Sequence, residues 1–454
     1  MFLKRNRGET GIPSWKRYIN RLLAREISAT ARFYDRTIQW LPREEDTGVL
    51  LRELECDEKS ALHAQARFPD LSGETEKRTA ILLNGTVNHH YDIQGLLMQL
   101  QPSLSRTSRV IMVIYNPYLG WLYRLANRLG LRAGDVPTTF ITEVDLDNIA
   151  QLSGYTIVRR RLALYCPWRL LGLGDFVNRV APCIPVLRWL GLVYLTVLKP
   201  VKGPELRKPS LSVLIPARNE RGNIENAMKR MPDLGCDLEV IFVEGHSSDG
   251  TWEEILRVKA LYGDRYDINA MRQTGKGKKD AVALGFSKAR GELLTILDAD
   301  LTMPPELLHR FYDAYCSGLA DFVNGSRLVY PMEGEAMRFL NRLGNAFFAK
   351  ALSWVLDVRL GDSLCGTKLL ASHDYRRVLK WRDQFGDFDP FGDFELLFPA
   401  AQLALGITDV PIRYLNRTYG STNISRFSHG LMLLKMTLIG LIRIKLGVRR
   451  KGAR

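Results

Sequence analysis

Cysteine is scarce and scattered in this sequence. The 454 residues contain six cysteines, and no two of them form a C-x-x-C pair. A disulfide framework or a structural zinc site needs cysteines at short, regular spacings, so this distribution argues against both. The pattern indicates reduced thiols, and we therefore expect a cytoplasmic protein.

Long uncharged hydrophobic runs are also missing. The first residues are basic and then mixed polar, so we expect no signal peptide. Residues 182–198 are apolar but contain Arg188, and we predict that they form strands. Residues 431–447 are apolar as well, but they include Lys435, Arg443 and Lys445 and are short for a helix that spans a membrane.

The basic C-terminal segment therefore favours the membrane surface. We predict that residues 431–454 form an amphipathic helix in the membrane interface, with its basic end on anionic lipid. An ordinary core helix followed by a solvated basic tail is the alternative. The net charge of +15 suits an anionic membrane surface or phosphorylated substrates. No nucleic-acid-binding motif is present, so we expect no nucleic acid partner.

A linker rich in proline and lysine, residues 199–210, divides the chain. We predict domains at 1–198 and 211–430, followed by the C-terminal helix of 431–454. In the second domain the apolar runs LSVLIP, LEVIFVEG, DINAMRQ and LLTILDADL alternate with helical patterns. One of these helices should have Ser248 or Asp249 as its N-cap. The alternation predicts an α/β fold with a parallel, doubly wound sheet.

Two aspartates close the last of these apolar runs. Asp298 and Asp300 follow the strand LLTIL with one small residue between them. In an open α/β sheet, ligands bind outside the carboxyl ends of the strands. Paired carboxylates there are hard oxygen ligands for Mg²⁺ or Mn²⁺, and water and phosphate oxygens complete the coordination. The pair predicts a metal site that holds a nucleoside diphosphate.

Three further loops should open on the same crevice, because each follows a strand of the predicted sheet. The first contains Pro216, Asn219 and Glu220, which offer polar groups to a base or ribose. The second begins at Glu244 and is acidic and rich in small residues. The third, GKGKK, contains Lys276 and precedes a helix, a position that suits an anion; it is not a P-loop.

These motifs as a set resemble family-2 glycosyltransferases with a GT-A nucleotide-sugar fold, and most closely the dolichol-phosphate mannosyltransferase group. VLIPARNE, VIFVEGHSSDGT, GKGKKDAVALGF, ILDADL, FVNGSRL, DSLCGTKLL, FGDFELL and VPIRYLNRTYG carry the resemblance. The resemblance implies transfer of a hexose, with mannose favoured, from a GDP- or UDP-sugar to a polyprenyl phosphate at the cytoplasmic membrane face. It further implies that Mg²⁺ or Mn²⁺ binds Asp298 and Asp300.

The motifs and the resemblance together assign roles to individual residues. Asp300, Arg327 and Asp393 would be catalytic, with Arg327 on phosphate. The donor and acceptor would be bound by Pro216, Asn219, Glu220, Glu244, Lys276, Asp298, Asp362, Arg417 and Arg426. Asp362 would lie on the acceptor side, and Arg426 would replace a lysine that the family places in the segment here read as GSTN. Thr302 stands where the mannosyltransferases often have glutamine.

The identity of the acceptor decides what the site must do. A lipid phosphate is already an anion and needs cationic positioning, which Arg327, Arg417 and Arg426 could provide. A hydroxyl on a glycan or glycolipid must lose its proton, and Asp393 is the candidate base. A sugar-nucleotide-binding protein without catalysis is a third reading, against which the intact aspartate pair argues.

The first domain resembles part of another family. Residues 80–200 are similar to the later part of a class I, SAM-dependent methyltransferase fold, through ILLNGTVNHHYDIQGLLMQL, RVIMVIYN and IAQLSGYTIVRRRL. No G-x-G turn follows a strand before Ala80, and SAM binding normally needs the close backbone approach that such a turn allows. We therefore expect a degenerate domain with a packing or scaffolding role, and measurable SAM binding would revive a methylating function.

Overall fold

The chain forms two compact units. The computed structural model describes residues 13–44, 46–74, 77–129, 137–202, 207–330, 339–385, 389, 392–419 and 426–447. Unit 1 comprises residues 1–202 and 402–404, and unit 2 comprises residues 203–401 and 405–454. The domain limits predicted from the sequence stay a prediction, because residues 203–206 of the expected linker lie outside the described residues.

Unit 1 contains six helices and six strands among its described residues. In chain order they are α1 (Ser14–Ala31), β1 (Arg36–Trp40), α2 (Val49–Glu53), β2 (Glu58–Leu62), β3 (Thr79–Asn84), α3 (Ile93–Leu100), β4 (Arg109–Tyr115), α4 (Gly120–Arg128), α5 (Glu143–Leu152), β5 (Tyr155–Ala163), α6 (Leu173–Val180) and β6 (Val193–Pro200). Short 3₁₀ turns connect several of them.

The sheet of unit 1 is mixed. Its strand order is β2-β1-β3-β4-β6-β5, in which the first four strands are parallel and β6 runs antiparallel to both neighbours. Every residue of β6 is buried, and β3 and β4 are buried except for their last residue. Such continuous burial requires strands that are covered on both faces, which is why they read as apolar runs. A second α/β unit therefore precedes the site-bearing one.

Unit 2 contains the predicted alternation of strands and helices. Its elements are β7 (Leu211–Ala217), α7 (Arg221–Lys229), β8 (Leu238–Glu244), α8 (Thr251–Tyr262), β9 (Asp267–Arg272), α9 (Gly277–Lys288), β10 (Leu293–Ile296), α10 (Leu308–Cys316), β11 (Phe322–Ser326), α11 (Phe339–Leu356), β12 (Lys368–Ala371), α12 (Ser372–Phe385), α13 (Phe394–Gln402), β13 (Ile407–Pro411) and α14 (Arg426–Gly440).

The sheet of unit 2 has the order β13-β11-β12-β10-β7-β8-β9. The four predicted strands, β7 to β10, are parallel to one another, as the sequence predicts. The sheet as a whole is mixed, because β12 runs antiparallel to β10 and β11. The chain starts at β7, moves outward to β9 and returns to the other side of β7 with β10. The strand order therefore reverses between β7 and β10.

Two local predictions were wrong. The N-cap of α8 is Gly250, whose φ of +85° favours glycine, whereas Asp249 accepts a hydrogen bond from the Thr251 amide at 3.1 Å. Residues 182–190 form short 3₁₀ turns rather than a strand, and β6 begins at Val193. Apolar composition alone did not distinguish these turns from the strand that follows.

Helix α14 has one buried and one exposed apolar side. Leu433 and Met436 are buried, whereas Leu431, Leu434 and Leu438 are exposed. The five residues after α14 form a short π-helical turn, in which the Lys445 ammonium is buried against Asp357 and does not face solvent. Within the described part of the chain, no helix has the length and apolar content that crossing a membrane requires. The basic residues 449–454 lie outside the described residues.

Candidate functional site

A cavity lies where the strand order of unit 2 reverses. It has a volume of about 510 Å³ and is lined by residues that follow β7, β8 and β10 at their carboxyl ends. This is the position at which open α/β sheets bind ligands, because the loops on the two sides of the reversal separate there. Seven of the predicted site residues line the cavity: Pro216, Glu220, Asp298, Asp300, Arg327, Asp393 and Arg417.

Asp298 forms an ion pair with Lys278, which lies in the first turn of α9. Burial raises the pKa of Asp298, but the Lys278 ammonium outweighs that effect, so the pKa lies below its usual value. The same pair raises the pKa of Lys278 against the effect of burial. A β-carbon at Gly366 would collide with both side chains. Glycine at this position therefore leaves room for the pair.

Asp300 is held by contacts to both of its oxygens. Its Oδ1 accepts hydrogen bonds from the Thr302 hydroxyl at 2.8 Å and the Thr302 amide at 3.1 Å, and its Oδ2 accepts one from Arg417 at 2.6 Å. The amide of Leu415 donates to the carbonyl of Thr302 at 2.9 Å, which brings the segment after β13 to this loop. The two bonds from Thr302 fix the orientation of the Asp300 carboxylate.

Glu220 lies beside this pair. Its Oε1 is 3.9 Å from Arg417, and its Oε2 accepts a hydrogen bond from Asn223 at 2.7 Å. Burial is the main reason why its pKa is raised; Asn223 opposes the shift and the Asp300 carboxylate adds to it. Arg417 therefore contacts the carboxylates of Glu220, which follows β7, and Asp300, which follows β10.

Arg327 is fixed by Asp362 behind it. The Arg327 guanidinium donates to both carboxylate oxygens of Asp362, at 2.7 and 3.0 Å, and its backbone amide donates to Oδ2 at 3.1 Å. Burial raises the pKa of Asp362, but the charge of Arg327 exceeds that effect and lowers it. The guanidinium also lies 5.5 Å from the centre of the Tyr414 ring. Arg327 is therefore presented to the cavity in one orientation.

Asp393 lies at the cavity wall and contacts a buried lysine. The ammonium of Lys368 on β12 donates to Asp393 Oδ1 at 2.9 Å and also to the carbonyl of Cys365. The side chain of Lys368 is fully buried, and that of Asp393 is 13% exposed. A buried ammonium needs such partners, because an uncompensated charge in the interior is costly.

Residues 212–365 match the sequence profile of glycosyl transferase family 2. This segment is a family 2 glycosyltransferase domain. It contains β7 to β11 and most of the cavity wall, including the aspartate pair and Arg327.

Several curated proteins are similar to this domain over part of their length. The chain is 34% identical over 136 residues to dolichol-phosphate mannosyltransferase of Pyrococcus furiosus, a match that spans 29% of this chain and 37% of the relative. The enzyme of the same name from Saccharomyces cerevisiae is 35% identical over 109 residues, 23% of this chain and 40% of the relative. A putative glycosyltransferase, CsbB, of Bacillus subtilis is 25% identical over 179 residues, 38% of this chain and 52% of the relative. The chain thus spans about half or less of the length of these relatives.

Solved structures resemble the chain more distantly. Glucosyl-3-phosphoglycerate synthase from Mycobacterium tuberculosis, in complex with Mn²⁺, UDP and glucosyl-3-phosphoglycerate, has 17% identity and a TM-score of 0.37. The likeness covers 54% of this chain and 82% of that chain.

Some predicted site residues of the family 2 domain do not line the cavity. Asn219, with a φ of +56°, donates its amide to Ser247 at 3.0 Å and accepts from the Ser248 amide at 2.9 Å. Glu244 is buried and accepts a hydrogen bond from the Ser247 amide. The Asn219 side chain joins the loops after β7 and β8, whereas the Glu244 side chain fixes the loop that follows it. The sequence motif reveals neither contact.

Three other predicted positions also differ from the expectation. Asp362 is fully buried behind Arg327 and does not line the cavity, so its observed contact is to that arginine. Lys276 precedes α9, and the cavity wall contains Lys278 in its place, because α9 begins at Gly277 and its first turn faces Asp298. Arg426 begins α14, but its side chain and the GSTN segment lie outside the described residues.

Sequence reasoning missed four residues that shape the site: Lys278, Lys368, Thr302 as an orienting group, and Tyr414. Lys278 stands in the same GKGKK loop as Lys276, and helical spacing from the start of α9 would have selected it. For Thr302 the sequence showed only that it stands where the mannosyltransferases often have glutamine. Lys368 and Tyr414 lie within the motifs DSLCGTKLL and VPIRYLNRTYG, but their contacts depend on strands that meet only in the folded sheet.

The carboxylate oxygens in the cavity wall are suitable ligands for a magnesium or manganese ion that also binds phosphate. Among the residues that the structure describes, no cluster of three or more His, Cys, Asp and Glu side chains is arranged for a metal, so Asp298 and Asp300 are the protein ligands at hand. Mg²⁺ is commonly held by one or two carboxylates, several waters and substrate phosphates. Two carboxylates on one cavity wall, with Thr302 orienting one of them, match that pattern.

Proposed function

We propose that the family 2 domain transfers a hexose, with mannose favoured, from a GDP- or UDP-sugar to a polyprenyl phosphate, with inversion at the anomeric carbon. The observation that carries the proposal is one cavity, at the strand-order reversal, whose wall contains an aspartate pair together with cationic side chains. The pair is Asp298 and Asp300, and the cations include Lys278, Arg327 and Arg417. The names of the two dolichol-phosphate mannosyltransferases support mannose as the sugar and a polyprenyl phosphate as the acceptor.

Asp298 and Asp300 would hold Mg²⁺ or Mn²⁺ in this proposal. When bound, such an ion neutralises the negative charge that develops on the departing diphosphate. Lys278 and Arg417 are the present partners of the two carboxylates, and both side chains lie within the cavity wall. They would bind the oxygens of the diphosphate and support the same charge in the transition state.

The transfer itself requires little proton movement if the acceptor is a lipid phosphate. A phosphate oxygen of the acceptor forms a bond to the anomeric carbon, while the bond from that carbon to the diphosphate oxygen breaks. The bonding electron pair leaves with the nucleoside diphosphate. Arg327, fixed by Asp362 and lining the cavity, would orient the acceptor phosphate through a charge-assisted contact.

A hydroxyl acceptor is the second candidate, and the position of Asp393 in the cavity wall favours it. A glycan or glycolipid hydroxyl must lose its proton as its oxygen attacks, and Asp393 would accept that proton. Lys368 would then hold the carboxylate in place.

The membrane location is part of the proposal. Leu431, Leu434 and Leu438 form an exposed apolar side of α14, next to the exposed Lys435. Interfacial helices bind lipid through such a side, assisted by basic residues. We propose that α14 lies on the cytoplasmic face of the membrane and brings the cavity to a lipid acceptor.

The test is a transfer assay with the purified full chain, a short polyprenyl phosphate, Mg²⁺ or Mn²⁺ and a panel of GDP- and UDP-sugars. We expect a metal-dependent polyprenyl-phosphate hexose from one donor and its loss in Asp300→Asn. Asp313→Asn is the matched control, because Asp313 is exposed on α10 and does not line the cavity. Donor binding without transfer to lipid phosphate would contradict the proposed acceptor.

A second variant separates the two acceptor classes. If the acceptor is a phosphate, Asp393→Asn should retain turnover within about tenfold, because no proton must be removed. Loss of about 10²–10⁴ in kcat, with donor affinity unchanged, would identify Asp393 as a base and favour a hydroxyl acceptor.

A further inference from the structure

Two segments of unit 1 expose many large apolar side chains. We call residues 118–129 and 168–190 the apolar lobe. Three of the eight tryptophans of the chain lie in it, namely Trp121, Trp168 and Trp189, and each is about half exposed, at 49–59%. Phe176 is 61% exposed. Soluble proteins seldom expose so much apolar surface in one place without a partner that covers it.

The two segments lie side by side in the fold. The Asn116 side chain, two residues before the first segment, donates to the carbonyls of Trp189 at 3.1 Å and Gly191 at 2.7 Å. Asn178, in the second segment, accepts from the amide of Cys166 at 3.0 Å and donates to its carbonyl at 2.8 Å. Buried polar contacts therefore hold the apolar lobe in a defined shape.

The tip of the second segment is strained. Leu170 and Leu171 have φ values of +44° and +56°, a region that leucine rarely adopts because of its β-carbon. Both side chains are exposed, and that of Leu171 is fully so. A pair of leucines held outward against backbone strain is a feature that needs a compensating interaction.

The apolar lobe carries a net positive charge. Apart from Asp175, its charged residues are arginines, and all of these are exposed: Arg124, Arg128, Arg169, Arg179 and Arg188. Asp175 accepts a hydrogen bond from Tyr18 at 3.0 Å and lies 3.8 Å from Arg169. Exposed tryptophan, leucine and arginine together are the composition of surfaces that bind the interface of anionic membranes.

An apolar cavity opens within the apolar lobe. It has a volume of about 440 Å³, within the range of about 300–1,000 Å³ that is usual for ligand pockets. Its wall includes Trp15 and Ile19 of α1 together with Leu125, Leu129 and Trp168. The last three side chains are also 43%, 62% and 49% exposed, so the mouth of the cavity lies in the apolar lobe.

From these observations we infer that unit 1 docks on an anionic lipid bilayer through the apolar lobe and takes one hydrocarbon chain of a membrane lipid into the cavity. Leu170 and Leu171 enter the bilayer, the tryptophans lie at the level of the headgroups, and the arginines contact lipid phosphates. The inference goes beyond the proposed transfer reaction, because it requires neither sugar donor nor acceptor phosphate.

The docking surface is tested by sedimentation of the full chain with vesicles of phosphatidylcholine and phosphatidylglycerol, without donor or metal. We expect Leu170→Ser/Leu171→Ser to lower vesicle partitioning by at least about tenfold. Leu256→Ser/Leu261→Ser, which alters two leucines of α8 that are 46% and 58% exposed, should leave it unchanged. Leu170→Ser/Leu171→Ser should also lower vesicle partitioning when it is introduced into a chain that already carries Leu434→Ser/Leu438→Ser in α14.

The cavity is tested by the fluorescence of cis-parinaric acid. The wild-type chain should bind this fatty acid, and Ala126→Trp and Asn20→Trp, which fill the cavity from two sides, should each lower its affinity at least about tenfold. Both variants must retain the wild-type melting temperature. If both variants bind parinaric acid with the affinity of the wild-type chain, the cavity assignment is wrong.

A different experimental result would contradict the proposed docking on lipid. If the wild-type chain does not bind the vesicles but forms a dimer that Leu170→Ser/Leu171→Ser dissociates, a second copy covers the apolar lobe and the inference is wrong. Because transfer is not measured, failure here leaves the proposed reaction unaffected.

Discussion

The pair of Arg327 and Asp362 yields a sharp prediction about stability. Asp362 is fully buried, and its two oxygens accept from the Arg327 guanidinium at 2.7 and 3.0 Å. Glu306 accepts from Arg230 in the same bidentate geometry, at 2.7 and 2.9 Å, but these side chains are 51% and 35% exposed. The two guanidinium contacts are alike in geometry, but the Asp362 pair is buried, and the Asp362 carboxylate also accepts hydrogen bonds from the backbone amides of Arg327 and Leu364.

Burial sets the expected cost of removing each carboxylate. Asp362→Ala leaves the guanidinium of Arg327 without its counter-charge in the interior, and breaking a buried pair in this way costs about 3–5 kcal/mol. Glu306→Ala leaves Arg230 in water, and exposed pairs contribute about 0–1 kcal/mol. For a unit of this size about 2–4 °C is lost per kcal/mol. We therefore expect Asp362→Ala to lower the melting temperature by about 6–20 °C.

Calorimetric unfolding of the full chain measures both variants under the same conditions. Glu306→Ala should shift the affected transition by no more than about 4 °C. Equal shifts in the two variants would refute the reasoning, because they would show that burial does not determine the free energy that the pair contributes.

Four further predictions concern the same unit. The pKa of Asp362 is lowered by Arg327, so its stabilisation is present above the ordinary carboxyl pKa of about 4 and is lost as the pH falls through the lowered value; Asp362→Asn should lack this part of the acid sensitivity in unfolding curves recorded at decreasing pH. Arg417→Gln should reduce kcat by about 10²–10³ in the transfer assay, since it removes a cation from the developing diphosphate charge. Thr302→Val removes the hydroxyl that orients Asp300, the proposed metal ligand, and should weaken Mn²⁺ affinity by about 10–100-fold in calorimetry, whereas unchanged affinity would exclude an orienting role. Leu434→Ser/Leu438→Ser should lower vesicle binding of the chain by at least about tenfold, and wild-type binding by this variant would contradict the interfacial position of α14.

Strands β7, β8 and β10 of unit 2 could be predicted because they are buried on both faces. Continuous apolar runs such as LSVLIP and LLTIL are typical of that environment, and β7 and β10 lie where these runs predict them. The aspartates that end the last run lie at the strand-order reversal, because that run forms β10, which pairs with β7. Alternation along the chain could not show that β12 runs antiparallel, because a strand reads alike in either direction.

The site residues were harder to predict, because a motif does not say which way a side chain points. Glu244 ends its strand as expected, yet it is buried against the Ser247 amide. Asp362 was expected on the acceptor side, and it contacts Arg327, from which it is separated by 35 positions in the sequence. Lys278 and not Lys276 reaches the cavity because the start of α9 sets the rotation of the helix.

The most direct test of the account is calorimetric titration of the full chain with GDP and UDP in the presence and absence of Mn²⁺. The account predicts that one nucleotide binds only with the metal, and that Asp298→Asn and Asp300→Asn each abolish this binding while Asp313→Asn retains it. Metal-independent binding that survives both substitutions would contradict the assignment of the aspartate pair as the site of metal and diphosphate.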